Sequence, residues 1–190
     1  TMNVLNGGAH AGWVMDIQEC MIVPKHKVFA ERLRIGTEVF HALGKLLKER
    51  GLPTTVGDEG GFAPHLERVE NAFELLAQAV DEAGYKLGKD LCFAADVASS
   101  EFYDAKRKKY VFRAEGVEMA AEELMDRYAG WMEKYPFESI EDPFAEDDWI
   151  SWREALPMFE GNEVRVVGDD LLVTNVERLR RAIDEQAANT

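Results

Sequence analysis

No stretch of this 190-residue sequence stays apolar for anything near the roughly 20 residues that a membrane span requires. The start, Thr1-Met2-Asn3-Val4, has no basic segment followed by an apolar one, so no secretory signal is read there. Position 1 also lacks an initiator methionine, as expected of a segment cut from a longer chain. Positive charge is scarce: 22 Lys and Arg face 36 Asp and Glu, for a net charge of −14. Nucleic acids and anionic membranes are poor partners for such a chain, because phosphates are held by a positive footprint. An anionic small molecule is not excluded, provided metal ions stand between it and the acids. Cysteine is limited to Cys20 and Cys92, both in apolar surroundings. That points to reduced, buried thiols and a cytoplasmic protein rather than a disulfide framework. Internal repeats and low-complexity segments are missing as well. What is present, 46% hydrophobic and 31% charged residues, suffices for a real core, so disordered and fibrous classes drop out.

The pattern changes part-way along the chain. Met2–Leu5 and Ile17–Pro24 are short apolar segments separated by a glycine-containing loop, the pattern of two antiparallel strands, with Gln18-Glu19 interrupting the second. Lys27–Arg50 and Glu67–Ala83 carry apolar residues three or four apart and read as helices, stopped by Gly51 and Gly84. Beyond them, apolar strands at Leu91–Ala95, Phe137–Ile140 and Val164–Val167 alternate with helices at Ala120–Lys134, Asp147–Ala155 and Val176–Ala187. Alternation of this kind predicts parallel βαβ units under helical cover. Lys106–Phe112 reads as a β-hairpin excursion with a charged tip.

Each of the three later strands runs into acid: Asp96, then Glu141-Asp142, then Asp169-Asp170. In a parallel array the C-terminal strand ends face one mouth, so Asp96, Glu141 and Asp169 are expected to converge. Three carboxylates that close repel one another unless they are protonated or share a cation. An all-oxygen set without His or Cys selects a hard ion, and Mg²⁺ suits it best. Helix capping is the competing explanation, but each acid lies several residues ahead of its helix.

Two loops add candidates. Gly57-Asp58-Glu59-Gly60-Gly61 reads either as an ordinary turn or as a backbone that approaches a ligand closely while holding Glu59 for proton transfer. His10 lies between Gly7-Gly8 and Gly12, in a segment of hinge-like composition. Glu19, if it points inward from its strand, needs a role or a partner to offset its burial.

Six blocks taken together resemble the enolase family: Asn3–Ala11, Asp16–Glu19, Val56–Pro64, Ala98–Tyr103, Ser139–Phe144 and Val167–Asn175. They come in the family's order and cover essentially the whole chain. The resemblance implies an α/β fold, an incomplete TIM-type barrel opening ββαα before its βα units. Residues 1–190 would form part of the C-terminal barrel domain, without the N-terminal domain or the last barrel strands. The implied activity is the glycolytic, Mg²⁺-dependent dehydration of 2-phosphoglycerate to phosphoenolpyruvate. Two Mg²⁺ ions per site, a homodimer and a cytoplasmic location, with some presence at the cell surface, follow from the same likeness. Asp96, Glu141 and Asp169 match the ligands of the Mg²⁺ that binds the substrate carboxylate. Glu59 matches the general acid for the departing 3-hydroxyl, and its acidic neighbours are expected to raise its pKa and keep it protonated. Glu19 and Gln18 match substrate contacts, with Glu19 assisting Glu59, and His10 matches a mobile-loop residue that closes over the ligand.

Departures from the family pattern set limits. The family's basic Lys and further cationic residues come after the position of Thr190, and a serine for the second Mg²⁺ comes from the N-terminal domain. The 190-residue chain alone is therefore expected to be inactive. Lys25-His26-Lys27 and Cys20 replace a small-residue turn and a Phe. Two alternatives stand beside the main reading. One is a non-catalytic binding fragment that engages a protein partner through the Lys106–Lys109 tip. The other is a Mg²⁺-dependent lyase or racemase of the same superfamily acting on another carboxylate.

Overall fold

A computed structural model describes residues 1–190. In chain order the elements are β1 (Met2–Asn6), β2 (Glu19–Pro24), α1 (Phe29–Glu49), α2 (Val69–Glu82), β3 (Leu91–Asp96), β4 (Tyr103–Asp104), β5 (Lys109–Phe112), β6 (Val117–Met119), α3 (Ala121–Lys134), β7 (Phe137–Glu141), α4 (Trp149–Gly161), β8 (Arg165–Val167) and α5 (Val176–Glu185). The main sheet runs β1-β2-β3-β7-β8. Its first two pairings are antiparallel and its last two parallel, as the ββαα opening and later βα units require. The sheet does not close on itself: β1 and β8 are its edges, and the arrangement is an open stretch of barrel wall.

Burial explains why the elements form where they do. All six residues of β3 are buried, so its sequence is continuously apolar up to the terminal acid rather than alternating. The helix α1 buries Ile35, Val39, Leu43, Leu46 and Leu47, one stripe at helical spacing. A Cβ at Gly44 would stand 2.9 Å from Phe62 Cζ, so this glycine lets α1 lie directly on the ring that ends the glycine-rich loop. The ring of Phe73 meets those of Trp131 and Phe137 edge-to-face, each at 5.1 Å. Cys20 and Cys92 are free and buried, and burial pushes both thiols up, Cys92 to about 11.

Two expectations are corrected. Lys106–Phe112 belongs to a three-stranded antiparallel meander, β4-β5-β6, rather than to a single hairpin. Within its charged segment Arg107 pairs with Glu118 and Lys109 with Glu123, so half of the basic charge is already met inside the chain. The helix α4 continues past Ala155, through Pro157, to Gly161. Proline removes one backbone donor there, but burial of Leu156 before it and Phe159 after it outweighs that loss.

One polar network locks α2, α3 and the meander together. Arg127 donates to both oxygens of Glu70 at 2.8 Å and to Glu115 at 2.6 Å, and Trp131 Nε1 donates to Glu70 at 2.7 Å. Burial acts to raise Glu70, but the Arg127 guanidinium overrides it and holds the carboxyl down at about 2. Its stabilising contribution is complete above its ordinary value and is lost as pH falls toward 2. The variant Arg127→Met leaves Glu115 without a counter-charge and Glu70 with only the exposed Arg68, 3.3 Å away. It is expected to cost about 3–5 kcal/mol in a denaturant titration. A loss under about 1 kcal/mol would show the network to be surface-like.

Candidate active site

Strand register builds the site. Asn6 pairs with Glu19, Glu19 with Asp96, Asp96 with Glu141, and Glu141 with Val167, one row across all five strands. Residues directly opposite one another in a sheet share a face, and neighbouring strands lie about 5 Å apart. Glu19, Asp96 and Glu141 are therefore three successive carboxylates on one side of one rim. Because β2 runs antiparallel, it contributes its first residue where β3 and β7 contribute their last. Glu19 thus begins its strand rather than interrupting it.

Asp96 and Glu141 end β3 and β7, but β8 ends at Val167, and Asp169 reaches the site from the loop beyond Gly168. No group of three or more His, Cys, Asp or Glu side chains is drawn together closely enough to hold a metal ion. The electrostatics still register their proximity. Burial, followed by the charges of Glu141, Asp142 and Glu19, pushes Asp96 up to about 8. Burial, followed by Asp169 and Asp170, raises Glu141. Each of these shifts is what a nearby cation would reverse. By donor type alone the set, all oxygen with no His or Cys, suits a hard divalent ion such as Mg²⁺, although its spacing here is not closed around one. Gln18 Nε2 donates to Asp96 Oδ2 at 3.1 Å and Ala98 N to Oδ1 at 3.0 Å, which orients that carboxylate.

Sequence reasoning gave Asp142 no role, yet it fastens this end of the site. It is buried, and its carboxylate accepts from Asp170 N at 2.9 Å, the residue next to Asp169. Its backbone N–H donates to Val167 O at 3.0 Å, and its φ of 41° lies in the left-handed region. The Glu-Asp pair at the end of β7 thus divides its work: Glu141 faces the site and Asp142 ties down the loop that carries Asp169.

At the other end of the row the glycine loop presents Glu59. The loop lies along the outer edge of β1: Phe62 N donates to Val4 O at 2.9 Å and Asn6 N to Phe62 O at 2.8 Å. A Cβ on Gly61 would stand 2.7 Å from Asn6 Oδ1 and 2.9 Å from Leu5 N, so only glycine permits this approach. Three donors surround the carboxylate. Asn6 Nδ2 donates at 2.9 Å and Asn3 Nδ2 at 3.2 Å to Oε2, while His10 Nδ1 lies 2.6 Å from Oε1. His10 rides on a single 3₁₀ turn, Ala9–Ala11, flanked by Gly8 and Gly12, both at positive φ.

These donors act against the expected rise of the Glu59 carboxyl. Burial acts to raise it, but hydrogen bonds from Glu19, His10 and Asn6 outweigh burial and leave it below its ordinary value. Glu19 carries the opposite shift: burial, then its hydrogen bond to Glu59 and the charges of Glu59 and Glu141, push it up to about 8. The two acids titrate as a pair, with burial and mutual repulsion raising Glu19 and the donors around Glu59 lowering it. Acidic neighbours do raise a pKa here, but at Glu19, because the amide and imidazole donors all favour Glu59.

Residues 1–190 match the family model described as Enolase, C-terminal TIM barrel domain.

Proposed function

Because this chain belongs to the family of enolase C-terminal TIM barrel domains, we propose that it supplies the acidic half of an active site that dehydrates 2-phosphoglycerate to phosphoenolpyruvate. The observation that carries this reading is the row of Glu19, Asp96 and Glu141, with Glu59 held across from it by Asn3, Asn6 and His10. Asp96, Glu141 and Asp169 would hold Mg²⁺, with two ions per site in the complete enzyme. Bound there, Mg²⁺ supplies Lewis-acid stabilisation of charge that develops on the substrate carboxylate. Gln18 keeps Asp96 oriented, and Asp142 keeps the Asp169 loop in place. The Glu19–Glu59 pair holds the proton needed by a departing 3-hydroxyl, since hydroxide itself leaves poorly. Glu59 receives that proton from Glu19 along their hydrogen bond and passes it on. His10, half-exposed on its glycine-flanked turn, is placed to move with a ligand.

On this reading the barrel closes through strands outside residues 1–190 and the base comes from one of them; that the five-stranded sheet does not close on itself supports it. A cytoplasmic homodimer belongs to the same proposal; no helix is long and apolar enough to cross a membrane. The test is an assay of phosphoenolpyruvate formation by the full-length protein with 2-phosphoglycerate. Turnover is expected with Mg²⁺, none after chelation, and none from residues 1–190 alone. Absence of turnover in the full-length protein, together with proton exchange alpha to another carboxylate, would favour a related superfamily lyase or racemase.

A further inference from the structure

We propose that Asn6 is a positioning residue whose buried side-chain amide clamps the glycine loop and sets the orientation of the Glu59 carboxylate. The inference rests on the reading of Glu59 as the proton-delivering acid. Asn6 ends β1 and is fully buried. Its amide is used at both ends: Oδ1 accepts from Gly61 N at 2.8 Å, and Nδ2 donates to Glu59 Oε2 at 2.9 Å. Its backbone N–H adds a third tie, to Phe62 O at 2.8 Å. One residue thereby grips the loop on both sides of Gly60. The amide orientation follows from chemistry, since the backbone N–H needs an acceptor and the carboxylate needs a donor.

Sterics point the same way. A Cβ at Gly57 would stand 2.9 Å from Asn6 Cβ, so the loop closes on this side chain at Gly57 as well as at Gly61. Asn6 is also the register partner of Glu19, so the two residues reach Glu59 from adjacent strands at one rim. Asn3 is the weaker support: it donates to Glu59 at 3.2 Å, and its own Oδ1 is buried without a partner. No other residue type does what Asn6 does here. Aspartate lacks the donor, leucine lacks both functions, and glutamine is a methylene too long for a site in contact with two glycines.

Two variants of the full-length protein test this. Asn6→Ala removes both bonds. It is expected to lower kcat for 2-phosphoglycerate by about 100-fold while KM stays within about threefold. Backbone amide exchange at Gly61 should accelerate by about tenfold or more. Asn6→Asp keeps an acceptor for Gly61 N–H, so exchange there should stay slow. It also sets a negative charge against Glu59, so turnover should fall and the limb of the kcat–pH profile that reports Glu59 should move to higher pH. A purely structural asparagine would leave that profile unmoved in Asn6→Asp, and such a result overturns the proposal. If Asn6→Ala does not fold, the pH profile of Asn6→Asp still decides the matter. If the unsubstituted protein fails to convert 2-phosphoglycerate, the proposed reaction falls separately. The exchange comparison then remains decisive: equal Gly61 exchange in Asn6→Ala and the unsubstituted protein would overturn the clamp.

Discussion

Glu59→Gln in the full-length protein is expected to lower turnover by about 10³–10⁴-fold, with Mg²⁺ affinity unchanged by calorimetry. Glutamine preserves the length and shape of the side chain, its oxygen can accept from Asn6, and its NH₂ faces His10 Nδ1, which can accept. It cannot accept a proton from Glu19 or release one to a leaving hydroxyl. Metal affinity is spared because Glu59 is not among the strand-end acids Asp96 and Glu141, which lie on β3 and β7. The unsubstituted protein should also lose turnover as pH rises through about 8, where the proton leaves Glu19. Near-normal activity of Glu59→Gln would sink its assigned role, and a parallel loss of Mg²⁺ affinity would make it a ligand instead.

Asp96→Asn should change stability and metal binding in opposite directions. Burial and three neighbouring carboxylates raise Asp96 from 3.8 to about 8. A carboxyl raised in the folded state stabilises the fold while protonated, and that contribution is lost as pH climbs through its folded value. The metal-free protein should therefore melt at lower temperature at pH 9 than at pH 5. Asparagine carries no charge to be repelled, so the variant should regain on the order of 5 °C at pH 9. Mg²⁺ should raise the melting temperature of the unsubstituted protein, and more so at pH 9, where protons no longer compete for the same oxygens. That protection should vanish in Asp96→Asn. Equal Mg²⁺ protection in both proteins would remove Asp96 from the ligand set. Greater metal-free stability at pH 9 than at pH 5 would contradict the crowding of charge at this rim.

The strands and most helices were legible because burial on both faces leaves an uninterrupted apolar run and burial on one leaves a stripe. Leu91–Asp96 illustrates the first and Phe29–Glu49 the second. The strand Val117–Met119 was not legible, since it is three residues long and its first two are exposed. The end of α4 was hidden by Pro157, a local breaker overridden by tertiary burial. Within the site, Asp96 and Glu141 could be read because an acid that ends an apolar strand is conspicuous. Glu19 could not be put in the same row, because register between antiparallel strands is not written in composition. The surroundings of Glu59 were inaccessible for a related reason. They are made by donors that lie 49 to 56 positions away in sequence, His10, Asn6 and Asn3.

The burial of β3 on both faces has a consequence for assembly of the chain. A strand whose residues all find apolar surroundings can slide by one position against its neighbours with little hydrophobic penalty, because Leu91, Phe93 and Ala95 exchange places with Cys92 and Ala94. The pattern that makes the strand easy to recognise leaves its alignment under-determined. Asp96 breaks the degeneracy: a slip of one would turn its carboxylate toward the interior and bring Ala95 to the rim beside Glu19 and Glu141. The acid that crowds the folded rim thus also marks the alignment of its strand, since a slip would part it from the Gln18 amide that orients it.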